Sequence, residues 1–318
     1  MIRAGALALV ALAALAGCGK KSEAAPHDVA QITAVPSAAP AVAAEPAVAK
    51  APKPPPGPEP KLLPMILDGI DLSGDARTRF FALYEQLPSP CGKAQSLHAS
   101  VDTDPSCKRG PYAARWVAHM MTLANLSDEQ MIELYGRRYK RLEPYQFELD
   151  GVAHTGNPKT AKITFVEFFD YGCPHCRAHV PVFDAILKKL GKDAVLYYMN
   201  FPIGGWKTSE PAAQAAIAAD RQGKFDAFHH ALFEAQPHQE ADDVRAVAKK
   251  VGLDMTRFEA DWKDPAVAAM VKAQRAQGLK ANLQSTPMIW INGREFVGIP
   301  DPAWLSDAIA EEQAVLAK

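Results

Sequence analysis

The sequence predicts an α/β fold with an all-helical insertion, preceded by a small helical unit. Three observations predict it. The apolar period is helical from Lys61 to about Leu142 and turns to strand alternation at Tyr145. A mostly apolar strand, a helix and a second strand then follow one another between Ala161 and Ile203. After a long alanine-rich helical block the chain closes with a hairpin and a last helix. The 318 residues are enough for two domains, and a net charge of -1 leaves no basic surplus for binding nucleic acid.

The N-terminus "MIRAGALALVALAALAGCGKK" carries Arg3 and an apolar run from Ala4 to Ala16. A membrane-spanning helix needs about 20 residues, so this run suits a signal peptide instead. Leu15-Ala16-Gly17-Cys18 resembles a bacterial lipobox. The resemblance implies that residues 1–17 are removed and that the Cys18 thiol is acylated. The protein is then expected in the cell envelope, lipid-anchored on the periplasmic face, with Gly19 favouring the outer membrane. Of the five cysteines, Cys18 is thereby accounted for, leaving Cys91, Cys107, Cys173 and Cys176 as two pairs. Export places both pairs where disulfides persist.

Residues 18–60 follow as a tether. More than half of the residues from Gly19 to Pro60 are Ala or Pro, ending in "APKPPPGPEP". Repeated prolines deny backbone donors to helix and sheet alike. Residues 61–143 are expected to form a three-helix domain. "DLSGDARTRFFALYEQL" puts Phe80, Leu83, Tyr84 and Leu87 on one face, and "GPYAARWVAHMMTLA" does the same with Trp116, Met120 and Leu123. "LSDEQMIELYGRRY" opens with a capping-box pattern at Ser127 and Gln130, followed by Met131, Leu134 and Tyr135.

Residues 144–318 form the α/β part. "YQFELDG" alternates as a strand, "GNPK" is a turn, and "AKITFVEFFD" is a buried strand. A helix runs through "CPHCRAHVPVFDAILKKLG", and "DAVLYYMNFPI" is the next strand. The helical insertion spans about 207–283. "TPMIWING" and "REFVG" make a hairpin around Asn292-Gly293, and the last helix turns Leu305, Ile309 and Val315 inward.

The chemistry lies in "FVEFFDYGCPHCRAHV". Two cysteines at this spacing suit half a zinc site, a structural crosslink or a reactive redox pair. A structural zinc needs four ligands, and no second CxxC and no HxxxH elsewhere in the sequence joins the pair, although His175 and His179 flank it; no metal is expected. Cys173 stands at a strand-to-helix junction, where free N–H groups and the helix dipole favour an anion. Pro174 suits the first helical turn, and His175 adds a positive charge or a donor. Cys176, one turn on, reaches back to Cys173. This arrangement favours the Cys173 thiolate, and stabilising the reduced form makes the disulfide a stronger oxidant.

"VEFFDYGCPHC", a helix, an all-helical insert and then "STPMIWINGREFVG" together resemble the DsbA-like thiol-disulfide oxidoreductases of the thioredoxin superfamily. The resemblance covers roughly Tyr145 to Lys318. It implies a thioredoxin fold and a protein thiol-disulfide oxidoreductase whose only redox group is the Cys173–Cys176 disulfide. It further implies that Pro287 is cis beside the cysteines and that the Thr286 backbone pairs with the substrate peptide. Glu167 matches the family's buried acid beneath the inner cysteine, a proton relay for Cys176. The partners implied are exported proteins with free thiols and a redox partner that resets the pair. CPHC is the dipeptide setting of strongly oxidising members, which makes a disulfide donor the first expectation. Thr286 before the proline is shared with isomerases and other relatives, which keeps isomerase, reductase and non-catalytic peptide binder as alternatives.

"SPCGKAQSL" and "SDEQMIELYGRRY" resemble, more weakly, the helical domain of CcmH-type cytochrome c maturation proteins, which carry "CPxCxxxS" and "SDEEI…RYG". The second cysteine of that motif is missing here. Cys91 and Cys107 are expected as a structural disulfide, worth roughly 3 kcal/mol for a loop of about 15 residues, with a second redox pair as the alternative.

Overall fold

The computed structural model describes residues 63–123 and 126–317. The expected signal peptide, Cys18 and the expected tether lie outside the described residues. Five helices come first: α1 (Leu63–Ile66), α2 (Gly74–Gln86), α3 (Leu97–Asp102), α4 (Gly110–Thr122) and α5 (Asp128–Tyr139). Three were expected. The other two, α1 and α3, are too short to show a helical period. Ser127 accepts from the Gln130 N–H while the Gln130 side chain accepts from the Ser127 N–H, so the capping box that opens α5 is complete. Phe80, Leu83, Tyr84, Leu87, Trp116, Met120, Met131 and Tyr135 are all buried.

The α/β part begins with β1 (His154–Gly156) and β2 (Ile163–Phe169), then α6 (Pro174–Leu190) and β3 (Ala194–Asn200). The insertion consists of α7 (Ser209–Asp220), α8 (Phe225–Glu234), α9 (Ala241–Lys250), α10 (Met255–Trp262) and α11 (Pro265–Lys280). The chain closes with β4 (Met288–Ile291), β5 (Arg294–Glu295) and α12 (Pro302–Leu316). The sheet order is β1-β3-β2-β4-β5. β2 runs parallel to β3 and antiparallel to β4, with Glu167 opposite Tyr198 and Ile289. This is the fold class the sequence predicts. Among the described residues no helix is long and apolar enough to cross a membrane.

Two elements differ from expectation. "YQFELDG" is not a strand, because its backbone is satisfied elsewhere. Tyr145 N–H donates to the Gly293 carbonyl (2.7 Å), and Gln277 both accepts from the Glu148 N–H (2.7 Å) and donates to the Glu148 carbonyl (3.2 Å). Its alternation comes from Tyr145, Phe147 and Leu149 packing on Phe168 and Trp290 at the outer face of the sheet. The strand edge is filled by β1, three residues that pair with β3. Val315 is 41% exposed rather than buried, while Leu305 and Ile309 are buried as expected.

The hairpin turn uses Asn292 (φ 49°) and Gly293 (φ 75°), and a Cβ at Gly293 would stand 2.4 Å from the Tyr145 carbonyl. Glycine is therefore required there for both conformation and space.

One apolar core runs from the first five helices into the sheet. It joins Phe80, Trp116 and Tyr135 to Phe165, Ile291 and Leu305. Polar links reinforce it. Trp116 Nε1 donates to the Val297 carbonyl (2.6 Å), and Arg109 reaches Glu311 and Glu312 on α12, both at 2.7 Å. Arg138 reaches the other oxygen of Glu311 at 2.6 Å. Arg115 Nε binds Asp307 at 2.7 Å, and its Nη1 donates to the carbonyls of Met65, Ile66 and Asp68 around α1. Cys91 and Cys107 are joined as a disulfide that encloses α3.

Candidate active site

β2 delivers the chain to the site and α6 carries it away. Residues 170–173 make the turn between them, and the Asp170 side chain shapes it. Its Oδ1 accepts from the Gly172 N–H (2.8 Å), its backbone carbonyl accepts from the Cys173 N–H (3.0 Å), and its Oδ2 accepts from the Ile203 N–H (2.9 Å). One buried carboxylate thus ties the cysteine turn to the loop after β3. Gly172 has a second duty, since a Cβ there would stand 2.7 Å from the Trp206 ring. Trp206, 39% exposed, therefore lies directly over the residue that precedes Cys173. From the insertion, Gln236 at the end of α8 donates its amide to the carbonyls of Tyr171 and Cys173.

Cys173 is the N-cap of α6, and Pro174 takes the first helical position, where no N–H is needed. Cys176 follows one turn later; both cysteines are buried free thiols. A hydrogen bond from the Cys176 thiol holds Cys173 down at about 5, helped by the Cys176 and His175 backbone N–H groups and opposed by burial. Cys176 is pushed up strongly by burial, then by Cys173 and by the Glu167 carboxylate. The two thiols are thus split into a thiolate nucleophile and a protonated reserve. His175 is exposed on the first turn of α6 and contributes to Cys173 through its backbone.

The loop before β4 meets the pair. The Thr286–Pro287 peptide is cis, and the Thr286 carbonyl oxygen lies 3.4 Å from Cys173 Sγ. Thr286 is buried, with no partner for its hydroxyl. Below the pair, Glu167 projects from the same face of β2 as Phe165, whose ring meets Phe183 of α6. Glu167 is 4% exposed, and burial raises its carboxyl above the ordinary carboxylate range, with the Cys173 charge adding to the effect and His179 opposing it. Its Oε1 lies 3.5 Å from His179 Nδ1, and neither atom has a hydrogen-bond partner. Tyr171 donates to or accepts from His229 Nδ1 at 3.0 Å, and burial drives His229 down to about 3.

The structure therefore brings together Glu167, Cys173, Pro174, His175, Cys176, Thr286 and Pro287. The Cys91–Cys107 disulfide belongs to the helical unit around α3. Asp170, Gln236, Trp206 and the contact of His179 with Glu167 were not read from the sequence. Asp170 was readable, because an Asp two residues before a turn N–H is a turn signal in its own right. Gln236 was not, lying over 60 positions away in the insertion. Among the described residues no group of three or more His, Cys, Asp or Glu side chains is placed to hold a metal.

A family model described as Thioredoxin matches residues 149–311, half of the chain. The chain belongs to the thioredoxin family. Curated relatives include the Na(+)/H(+) antiporter NhaA of Herminiimonas arsenicoxydans, 30% identical over 158 residues, which are 50% of this chain and 25% of that protein. A second is an NhaA antiporter of Mycobacterium sp. (strain KMS), 30% identical over 159 residues, 49% of this chain and 26% of the relative. The match thus spans about a quarter of the length of these relatives, and their transport is a property of the whole antiporters. Similar solved structures include a thioredoxin-like oxidoreductase from Silicibacter pomeroyi, 32% identical with a TM-score of 0.48, covering 53% of this chain and 94% of that one. Oxidised BdbD from Bacillus subtilis is 26% identical with a TM-score of 0.48, covering 53% and 96%. This thioredoxin-family chain keeps a helical insertion between β3 and β4, the arrangement expected of DsbA-like members.

Proposed function

We propose that this protein is a thiol-disulfide oxidoreductase that donates the Cys173–Cys176 disulfide to exported proteins while anchored to the envelope membrane by a lipid on Cys18. The observation that carries the reading is the unequal pair at the start of α6: Cys173 held as thiolate at about 5, Cys176 held protonated beneath it. In the donor direction a substrate thiolate attacks Cys173 Sγ, the Cys173–Cys176 bond breaks, and its electron pair leaves on Cys176. A second substrate thiolate then attacks the substrate sulfur and Cys173 leaves as the better leaving group. The substrate disulfide is formed and the pair is left reduced, to be reoxidised by a redox partner. A stable Cys173 thiolate favours the reduced state, and hence donation.

Equilibration of the full chain with glutathione buffers tests this. A potential near about -120 mV supports donation, whereas one near about -270 mV overturns it in favour of reduction. Absence of exchange in either direction, in a protein whose Cys173 alkylates normally, overturns the oxidoreductase reading itself. The anchor is tested by fractionating cells: Cys18→Ser is expected to move the protein from the membrane to the soluble envelope fraction, and unchanged membrane retention would refute lipidation.

A further inference from the structure

Burial falls off from the inner thiol outwards. Cys176 is 1% exposed, Glu167 4% and His179 8%. The three line up through the fold. Cys176, His179 and Phe183 lie on the buried face of α6, and Glu167 faces them from β2. Glu167 Oε1 and His179 Nδ1 are wholly enclosed, 3.5 Å apart, and each lacks any other partner. Two enclosed polar atoms that face only each other carry a desolvation cost that a purely structural pair would remove by closing the gap or recruiting a donor. Of the buried atoms left without a partner, these two stand on α6, which carries Cys176, and on β2, whose Glu167 is felt by that thiol.

We propose that His179 is a positioning residue that passes the proton between Glu167 and solvent whenever Cys176 gains or loses its own; this rests on the thiol-exchange reading above. When a substrate thiolate forms its bond to Cys173, the Cys173–Cys176 bond breaks and the electron pair leaves on Cys176. Glu167 gives its carboxyl proton to that sulfur. The His179 Nδ1 proton replaces it on Glu167, and the other ring nitrogen takes one from water. On reoxidation the flow reverses: Cys176 yields its proton to Glu167, attacks the mixed disulfide at Cys173, and the proton leaves through His179.

The other groups near Glu167 do not offer this route. From β3 Tyr198 feels the carboxylate, but burial holds its phenol well above the ordinary range, as it does Tyr171 in the cysteine turn. β4 opposes Glu167 with Ile289, which has no proton to give. α8 brings His229, hydrogen-bonded to Tyr171 and kept neutral by burial. On α12 Asp307 is taken up by Arg115 and His119, and Glu311 and Glu312 by Arg109 and Arg138.

The experiment mixes the reduced full chain with oxidised glutathione, quenches with acid and follows the glutathione adduct by mass spectrometry. Adduct formation uses Cys173 alone, and its resolution uses Cys176. His179→Phe, which places a ring beside Phe183, is expected to leave formation unchanged and to slow resolution about tenfold or more near neutral pH. Added imidazole should restore the rate in His179→Ala, which vacates the space of the ring. Glu167→Gln should slow resolution too, and adding His179→Phe to it should cost nothing further. Equal slowing of both steps, no rescue by imidazole, or multiplying effects in the double variant would each overturn the relay. Should His179→Phe fail to fold by circular dichroism, His179→Gln carries the same expectations. A wild-type chain that forms no adduct sinks the thiol-exchange reading. A wild-type chain and a His179→Phe variant that resolve equally fast sink only the role of His179.

Discussion

Among the described residues, two of the buried groups of ionisable side chains are treated in opposite ways. Between the helical unit and α12, Arg109 and Arg138 meet Glu311 and Glu312 at 2.6–2.7 Å, and Arg138 also donates to the Tyr139 hydroxyl. Each charge there has an opposite within hydrogen-bonding reach. Under the cysteines, Glu167 and His179 stand 3.5 Å apart with enclosed atoms unpaired. The first group is closed and holds one arrangement. The second is open, so a proton can enter or leave without breaking a bond. Full pairing suits a joint between parts of the fold; incomplete pairing suits a place where protons move.

The largest expected effect breaks the closed group. Arg138→Met leaves one oxygen of Glu311 without its cation, and removal of one partner from a buried pair is expected to cost about 3 kcal/mol or more. Urea unfolding should show the loss, while thiol exchange of the folded variant stays at the wild-type rate. A variant as stable as the wild type would mean that the joint is held by its apolar core alone.

The open group predicts a smaller effect of the opposite sign. Glu167 has a raised carboxyl in the folded protein, so its ionisation in the unfolded chain draws stability away as pH rises above the ordinary carboxylate range. Below that range both states hold the proton and nothing is lost. Glu167→Leu should therefore be more stable than the wild type by about 1–2 kcal/mol at pH 8, with the gain shrinking towards pH 4. Urea unfolding at both values measures it. A gain of equal size at both would remove the contrast with the closed group, because it would come from packing rather than from charge.

The smallest effect is at the rim, where no buried charge is involved. Gly172→Ala sets a methyl 2.7 Å from the Trp206 ring, whose exposed side lets it swing outward. The expected cost is about 1 kcal/mol or less, with a red shift of tryptophan emission. A loss as large as that of Arg138→Met would make Trp206 a structural lid rather than a surface ring.

The sequence makes the reactive half of the site legible because its signals are local. Cys173, Pro174 and Cys176 carry their chemistry in four consecutive residues, at a junction marked by an apolar strand on one side and a helical period on the other. The capping box at Ser127 and the turn at Asn292-Gly293 are legible for the same reason. His179 is visible beside the pair, but its value depends on a strand residue twelve positions earlier and on the space between them, which no periodicity reports. Gln236 reaches the cysteine turn from the far side of the insertion. The misread strand at Tyr145 shows the limit of alternation as a signal: aromatic side chains on the outside of a sheet alternate whether or not their backbone pairs with it.

Arg115 has a consequence for how the molecule bears load. Its Nη1 grips three carbonyls around α1, and its Nε grips Asp307 of α12. A pull on the chain upstream of Leu63 therefore meets α1, which is held by its buried Leu63 and Ile66 and by the guanidinium that ties its carbonyls to the C-terminal helix. Neither α1, α4 nor α12 supplies a residue to the cysteine pair. Tension applied at that end is carried by the frame, and the reactive turn is not in the line of force.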